Sequence, residues 1–203
     1  MRILGIVGSN RKDGNSYLLV REMLKDASPH ETKIIQIAEL NIKPCELCFE
    51  KCALQPFECI IDDDFQKLFK EMVLAHGIIF ACPFYFYIPS KFQAFLERIS
   101  CVDYFTQERH GEGKNPLRNK PCLLATISAS GSSFNAFQIL HHLQEFALML
   151  QMKPVNSRFW PFIGFSAKAG GIEKGAILNE AETMKQAKEW MNLLVKEIEG
   201  AKK

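Results

Sequence analysis

Four cysteines fall within fifteen residues, in Cys45-Glu46-Leu47-Cys48-Phe49-Glu50-Lys51-Cys52 and then Cys59, a C-x2-C-x3-C-x6-C spacing. Thiolates presented this closely by a loop can wrap one polynuclear centre, the way iron–sulfur clusters are held. Zinc on four cysteines is the metallic rival, although structural zinc usually takes two separated C-x2-C knuckles. Reduced, partly buried cysteines without metal are the third reading. Soft donors at this spacing favour the cluster, and Lys43 and Lys51 are at hand to offset thiolate charge. The remaining cysteines, Cys82, Cys101 and Cys122, lie in or beside apolar stretches and read as small core residues.

A second group of residues suits an anion. Gly8-Ser9-Asn10-Arg11-Lys12-Asp13-Gly14-Asn15-Ser16 follows an apolar run and precedes a helical pattern from Tyr17. Such a turn aims unpaired backbone N–H groups and the positive end of a helix dipole at one point. Ser9, Asn15 and Ser16 can donate to phosphate oxygens, and Arg11 can add a charge-assisted contact. The loop is neither a Walker A nor a Gly-x-Gly-x-x-Gly turn. The plainer alternative is a strand–helix turn in which Asn15 or Ser16 caps the helix.

A third group suits a flat ring. Phe84, Tyr85, Phe86 and Tyr87 stand in a row between Pro83 and Pro89, with neither helical nor strand periodicity. Pro83, Tyr85 and Phe86 could hold a planar ligand by apolar and edge-on contact. Ser128-Ala129-Ser130-Gly131-Ser132-Ser133 is a small-residue turn that would allow close approach. Asp62-Asp63-Asp64 reads as a helix cap rather than a catalytic pair. The adjacent His141 and His142 do not share a helix face and make no metal pair.

The elements that must position these groups alternate. Apolar runs at Ile3–Val7, Lys33–Ile37, Gly77–Cys82, Leu123–Ile127 and Val155–Phe162 read as strands. Between them Phe65, Leu68, Phe69, Met72 and Val73 repeat with helical period. So do Phe92, Phe95, Leu96 and Ile99; Leu140, Leu143, Ala147 and Leu150; and Met184, Ala187, Met191, Leu194 and Ile198. Short apolar strands alternating with amphipathic helices give an α/β fold with a parallel sheet covered on both faces. Five strands point to the doubly wound, flavodoxin-like order, whose ligand crevice opens where strands one and three diverge. The chain reads as a single domain over 1–203, with a cysteine-rich loop at 41–61 and a loop arm at 161–178.

The 203 residues carry a net charge of +2, which points to neither nucleic acid nor a membrane surface. No run approaches the roughly 18 apolar residues of a spanning helix. Gly8-Ser9-Asn10-Arg11 interrupts the N-terminal apolar run too early for a signal peptide. The expected location is the cytoplasm, where thiols stay reduced.

Gly8-Ser9-Asn10-Arg11…Gly14-Asn15-Ser16, Asp62-Asp63-Asp64-Phe65, Ile78-Ile79-Phe80…Pro83-Phe84-Tyr85-Phe86 and Phe95-Leu96-Glu97-Arg98 together resemble the NADPH-dependent FMN reductase family. The resemblance runs from residue 1 to about 150. It implies that Ser9, Arg11, Asn15 and Ser16 hold the FMN phosphate. It also implies that Pro83, Phe84, Tyr85 and Phe86 line the isoalloxazine, with Ser130 and Gly131 closing the pocket. Cys82 departs from the serine the family commonly has before this proline. The placement of four cysteines just before an aspartate-rich helix start resembles, more closely, the archaeal and anaerobe iron–sulfur flavoproteins. That resemblance implies a [4Fe–4S] cluster on Cys45, Cys48, Cys52 and Cys59.

The expected function is electron transfer between a one-electron donor such as ferredoxin and FMN. No side-chain acid or base is required, so no residue is singled out as catalytic. The alternatives are an NAD(P)H-dependent FMN or quinone reductase without a cluster and a zinc-stabilised binding module. The apolar loops, and the resemblance, imply a homodimer or homotetramer.

Overall fold

The computed structural model describes residues 1–55, 57–99, 101–102, 115–156 and 164–201. Strand β1 (Arg2–Val7) pairs in parallel with β2 (Glu31–Gln36) on one side and with β3 (Gly77–Pro83) on the other. Strand β3 pairs in parallel with β4 (Pro121–Ser128). The apolar runs of β1, β3 and β4 are buried nearly throughout, whereas β2 is a half-exposed edge. That is what a parallel sheet covered on both faces demands.

The fifth position is divided. Strands β5 (Lys153–Pro154) and β6 (Phe165–Lys168) both pair with β4, the first at Pro121 and Cys122, the second at Ala125–Ser128. Because β3 occupies the opposite edge of β4, the two short strands share one lane. Most of the strand expected over Val155–Phe162 lies outside the described residues. Val155 donates to the Cys122 carbonyl at 2.8 Å but lies outside β5, and 157–163 fall outside the described residues. Strand β6 instead arises inside the segment expected as a loop arm. Its four residues alternate Phe165 and Ala167 inward with Ser166 and Lys168 outward, a pattern too brief to read in sequence. Gly164 admits it: at φ 121° it passes where a Cβ would lie 2.5 Å from the Leu124 carbonyl.

Helices α1 (Asn15–Lys25) and α6 (Ala181–Gly200) cover one face. They bury Leu19, Met23, Met191 and Leu194 against Ile3, Ile79, Leu123 and Ala125. A short α2 (Phe49–Leu54) lies inside the cysteine segment. Helices α3 (Phe65–Leu74), α4 (Ser90–Arg98) and α5 (Ser133–Met149) cover the other face, with Phe65, Phe92, Phe95 and Leu143 against Leu4, Phe80 and Leu124. The helical faces read from periodicity are the buried ones, apart from Val73 in α3, which is exposed, and Met184 in α6, which is only partly buried. Cys82, Cys101 and Cys122 are buried core residues, as expected. Among the described residues no helix is long and apolar enough to cross a membrane.

One side chain closes the C-terminal end of α3. The Lys120 ammonium donates to the carbonyls of Met72 (2.8 Å), Val73 (2.7 Å) and Ala75 (2.5 Å), groups that a helix end leaves without intrahelical partners. Lys120→Met should therefore lower stability by about 1–3 kcal/mol. Urea denaturation checks this, with the midpoint falling and the slope unchanged.

Candidate functional site

Because the strands are parallel and Val7 is in register with Gln36 and Ala81, the loops after β1, β2 and β3 leave the sheet side by side. The first begins at Gly8, whose N–H donates to the Ala81 carbonyl at 2.8 Å. A Cβ on Gly8 would sit 2.3 Å from the Phe92 ring, so glycine is what lets this turn lie against α4. The turn enters α1 through Gly14, and among the described residues no side chain caps that helix. Its first-turn N–H groups have no intrahelical partner, and its first turn holds no acidic residue. This is an anion-ready helix end. Ser9 and Ser16 are buried beside it, with Ser9 Oγ accepting the Arg11 N–H at 3.0 Å. Asp13, at φ 51°, donates its N–H to Gln36 Oε1 (2.8 Å) and accepts from Gln36 Nε2 (3.1 Å), which braces the turn against the end of β2.

Arg11 and Asn15 are engaged in a different direction from the one their types suggested. Arg11 Nη1 donates to the Ile172 carbonyl at 2.7 Å. Asn15 Nδ2 donates to the Glu173 carbonyl at 2.9 Å, and its Oδ1 accepts the Gly175 N–H at 2.9 Å. The two side chains strap the 171–175 segment onto the turn, a contact across some 160 residues that no local pattern announces.

The aromatic loop meets this turn through Asn10 Nδ2, which donates to Ser90 Oγ at 3.3 Å. Pro83 ends β3 at the sheet edge. The Phe84 N–H continues the ladder to the Ile127 carbonyl at 2.8 Å, and its ring packs against the core, unlike its neighbours. Tyr85 and Tyr87 exchange backbone hydrogen bonds around Phe86, which takes φ 60°. The side chains of Tyr85, Phe86 and Tyr87 are 75%, 76% and 77% exposed. The turn after β4 brings up Ser130 and Gly131, with the Gly131 N–H on Ser128 Oγ at 3.0 Å. His142 lines a groove of about 250 Å³ with Tyr87, Ile88, Gln93, Gln138 and Ile139.

The cysteine loop leaves the end of β2, and acidic residues clamp its base. Asp64 Oδ2 accepts the Asn41 N–H and Asp63 Oδ2 the Lys43 N–H, both at 2.9 Å. Asp63 Oδ1 also accepts the Phe65 N–H at the start of α3. Asp64 at the N-cap makes no side-chain cap bond; Asp63 alone meets the helix start, and Asp63 and Asp64 chiefly fasten the loop. Burial works to raise the Asp63 carboxyl, but hydrogen bonds from Arg98, Lys43 and Phe65 overcome it and hold Asp63 below its ordinary value. Among the thiols, burial first, then the charges of Cys48, Cys59 and Cys45, pushes Cys52 up to about 11. The same neighbourhood reaches Cys101, raised to about 12 by burial and then by Cys59 and Cys52. The four thiols are therefore electrostatic neighbours. Among the described residues no three Cys, His, Asp or Glu side chains converge closely enough for a metal ion.

Lys43 and Lys51 are on exposed positions, and a buried cation, Arg98, lies at one of these thiols. Its side chain, like that of Asp63, is 0% exposed, and Nη2 lies 3.1 Å from Cys59 Sγ. Arg98 Nε is buried and finds no hydrogen-bond partner among the described residues. Soft donors, a buried cation and an unsatisfied donor at their side fit an anionic thiolate-held group. Sequence reasoning passed over Arg98 as part of a family motif. The available signal was a charge three residues after Phe95, on the flank of an apolar helix face.

Residues 1–165 match the family described as NADPH-dependent FMN reductase. An iron–sulfur flavoprotein of Methanocaldococcus jannaschii is 39% identical over 88 residues, 42% of this chain and 45% of the relative. One from Methanosarcina thermophila is 36% identical over 101 residues, 48% of this chain and 52% of the relative. The chain thus spans about half the length of the curated relatives it matches. Among solved structures, a flavone reductase superposes with a TM-score of 0.68 at 18% identity, covering 100% of this chain and 64% of that one. The Trp repressor binding protein from Bacillus subtilis gives 0.63 at 16% identity, covering 94% and 99%. These likenesses show the flavodoxin-like fold, and with four-fifths of its length matched the chain belongs to the NADPH-dependent FMN reductase family.

Proposed function

We propose that this protein is an FMN-binding flavoprotein that also carries a [4Fe–4S] cluster on Cys45, Cys48, Cys52 and Cys59, and exchanges electrons with a one-electron carrier such as ferredoxin. The observation that carries this reading is one of placement: the four-thiol loop and the uncapped N-terminus of α1 leave adjacent strands at the same sheet edge. Bound FMN supplies two-electron or stepwise one-electron chemistry, and a cluster supplies single electrons. The chain's own part is binding and positioning. The first-turn N–H groups of α1 hold the phosphate with the Ser9 and Ser16 hydroxyls. Arg11 and Asn15 fasten the 171–175 strap beside them, and either can release it toward the phosphate. Pro83, Tyr85 and Phe86 offer apolar contact to the ring, with Phe84 backing them from the core, and Ser130 and Gly131 allow close approach from the next loop.

The exposed Tyr85, Phe86 and Tyr87 support a second copy covering part of the flavin, in a homodimer or homotetramer. Light scattering on FMN-loaded protein tests this; a monomer would defeat it.

A second reading, an NAD(P)H-dependent FMN or quinone reductase without a cluster, is favoured by the family description. Iron, sulfide and flavin contents of anaerobically purified protein separate the two. Flavin with iron and sulfide supports the first; flavin alone supports the second. Cys48→Ser should lose iron and sulfide while FMN content stays at the parental level, since a hard hydroxyl replaces a soft thiolate and Cys48 is not part of the phosphate turn. Loss of FMN together with iron in a folded variant would show that the two sites are one.

A further inference from the structure

The loop of four cysteines has two ends, and one guanidinium holds both. Arg98 Nη1 donates to the Lys43 carbonyl at 2.9 Å, on the entering strand of the loop. Arg98 Nη2 lies 3.5 Å from the Ile61 carbonyl, on the leaving strand. Between them Asp63 accepts from both nitrogens, at 2.7 Å from Nη1 and 3.3 Å from Nη2. The plane is completed by the Phe65 ring, whose centroid lies 4.8 Å from the guanidinium carbon. A flat five-donor fork can make this set of contacts; a lysine ammonium cannot.

The same group faces sulfur. Nη2 is 3.1 Å from Cys59 Sγ, and the fifth donor, Nε–H, is buried without a partner among the described residues. Asp63 already balances the arginine charge for folding alone, so a purely structural pair has no need of a thiol contact or of an idle donor. A donor held in this way suits an acceptor that arrives with the thiolates.

We propose that Arg98 is a positioning residue for the four-thiol site: it pins both ends of the loop and turns the positive end of the buried Arg98–Asp63 pair toward the sulfurs of the thiolate-held group. This rests on the reading of residues 45–59 as a cluster loop. A fixed cation at the sulfurs stabilises the more negative, reduced form, so it raises the reduction potential of the centre. It also resists loss of the metal, because an opened loop no longer presents its thiols together.

The test uses the anaerobically purified full chain and two variants. Arg98→Lys keeps a charge but loses the fork. Arg98→Gln combined with Asp63→Asn removes both charges and leaves the pair neutral. Iron release to a chelator, cluster potential by redox titration, and the FMN potential as an internal reference are measured on each. Arg98→Lys should release iron at least about tenfold faster with FMN content unchanged, since a point charge cannot pin two carbonyls at once. The double variant should show a lower cluster potential and an unshifted FMN potential. Should it lose iron but keep FMN, pinning is supported in its extreme form. Should it fail to fold, the release rate of Arg98→Lys decides. Parental release from Arg98→Lys, or a parental cluster potential in an iron-loaded double variant, overturns the proposal. Parent protein without iron or sulfide instead refutes the cluster reading, and takes this proposal with it.

Discussion

Asp63→Ala should lower the free energy of unfolding by about 3–5 kcal/mol, the range found when one partner is removed from a buried ion pair. The side chains of Asp63 and Arg98 are both 0% exposed, so the variant leaves a guanidinium charged in the core with its main counter-ion gone. It also frees the Lys43 and Phe65 N–H groups, which detaches the cysteine loop from the start of α3. The effect depends on pH, with a definite sign. In the folded state the carboxyl of Asp63 titrates below its ordinary 3.8. Its contribution is therefore complete above that value and is lost as pH falls through the lower folded value. Denaturant titrations of parent and variant should differ most near neutral pH and converge progressively below about pH 3.8. A constant difference across that range would mean that the stability does not come from the ionised pair.

Ser16→Asp should weaken FMN binding on the order of 100-fold, the equivalent of losing about 1.5–3 kcal/mol of charge-assisted hydrogen bonding. Ser16 is buried in the first turn of α1, where the N–H groups have no side-chain cap among the described residues. A carboxylate there occupies the anion site itself and repels phosphate, while its charge favours the helix end and keeps the fold. Riboflavin lacks the phosphate, so its affinity should change little. Fluorescence titration with both flavins reads the ratio. An equal loss for the two would move the phosphate away from α1, and an unchanged FMN affinity would remove this assignment.

The strap on the phosphate turn bears on how such variants are interpreted. Arg11 and Asn15 hold residues 171–175 through four hydrogen bonds, so replacing either loosens a segment as well as any phosphate contact. Ser16, which among the described residues is engaged in no such strap, is the cleaner probe.

Elements with strong local periodicity were determined by the sequence alone. Phe65, Leu68, Phe69 and Met72 on α3, and the continuous apolar runs of β1, β3 and β4, follow from the need to bury one helix stripe or both faces of a strand. The parallel order then brings the turns after β1, β2 and β3 to one edge, which is why the anion turn, the thiol loop and the aromatic row could be grouped before any coordinates. Contacts between residues distant in sequence were decided only by the tertiary structure. Strand β6 exists because Ala125–Ser128 offer it a free edge, not because four residues around Phe165 prefer to be extended. Asn15 carries the residue type of a phosphate ligand or a cap, yet its amide is taken by backbone groups 158 and 160 residues away. Arg98 reads as an ordinary charge near a helix end, and becomes the buried anchor of the cysteine loop because Asp63, Cys59 and two loop carbonyls close around it. Periodicity reports which side of an element is buried; it carries no record of which distant polar atoms must be satisfied once that side is dry.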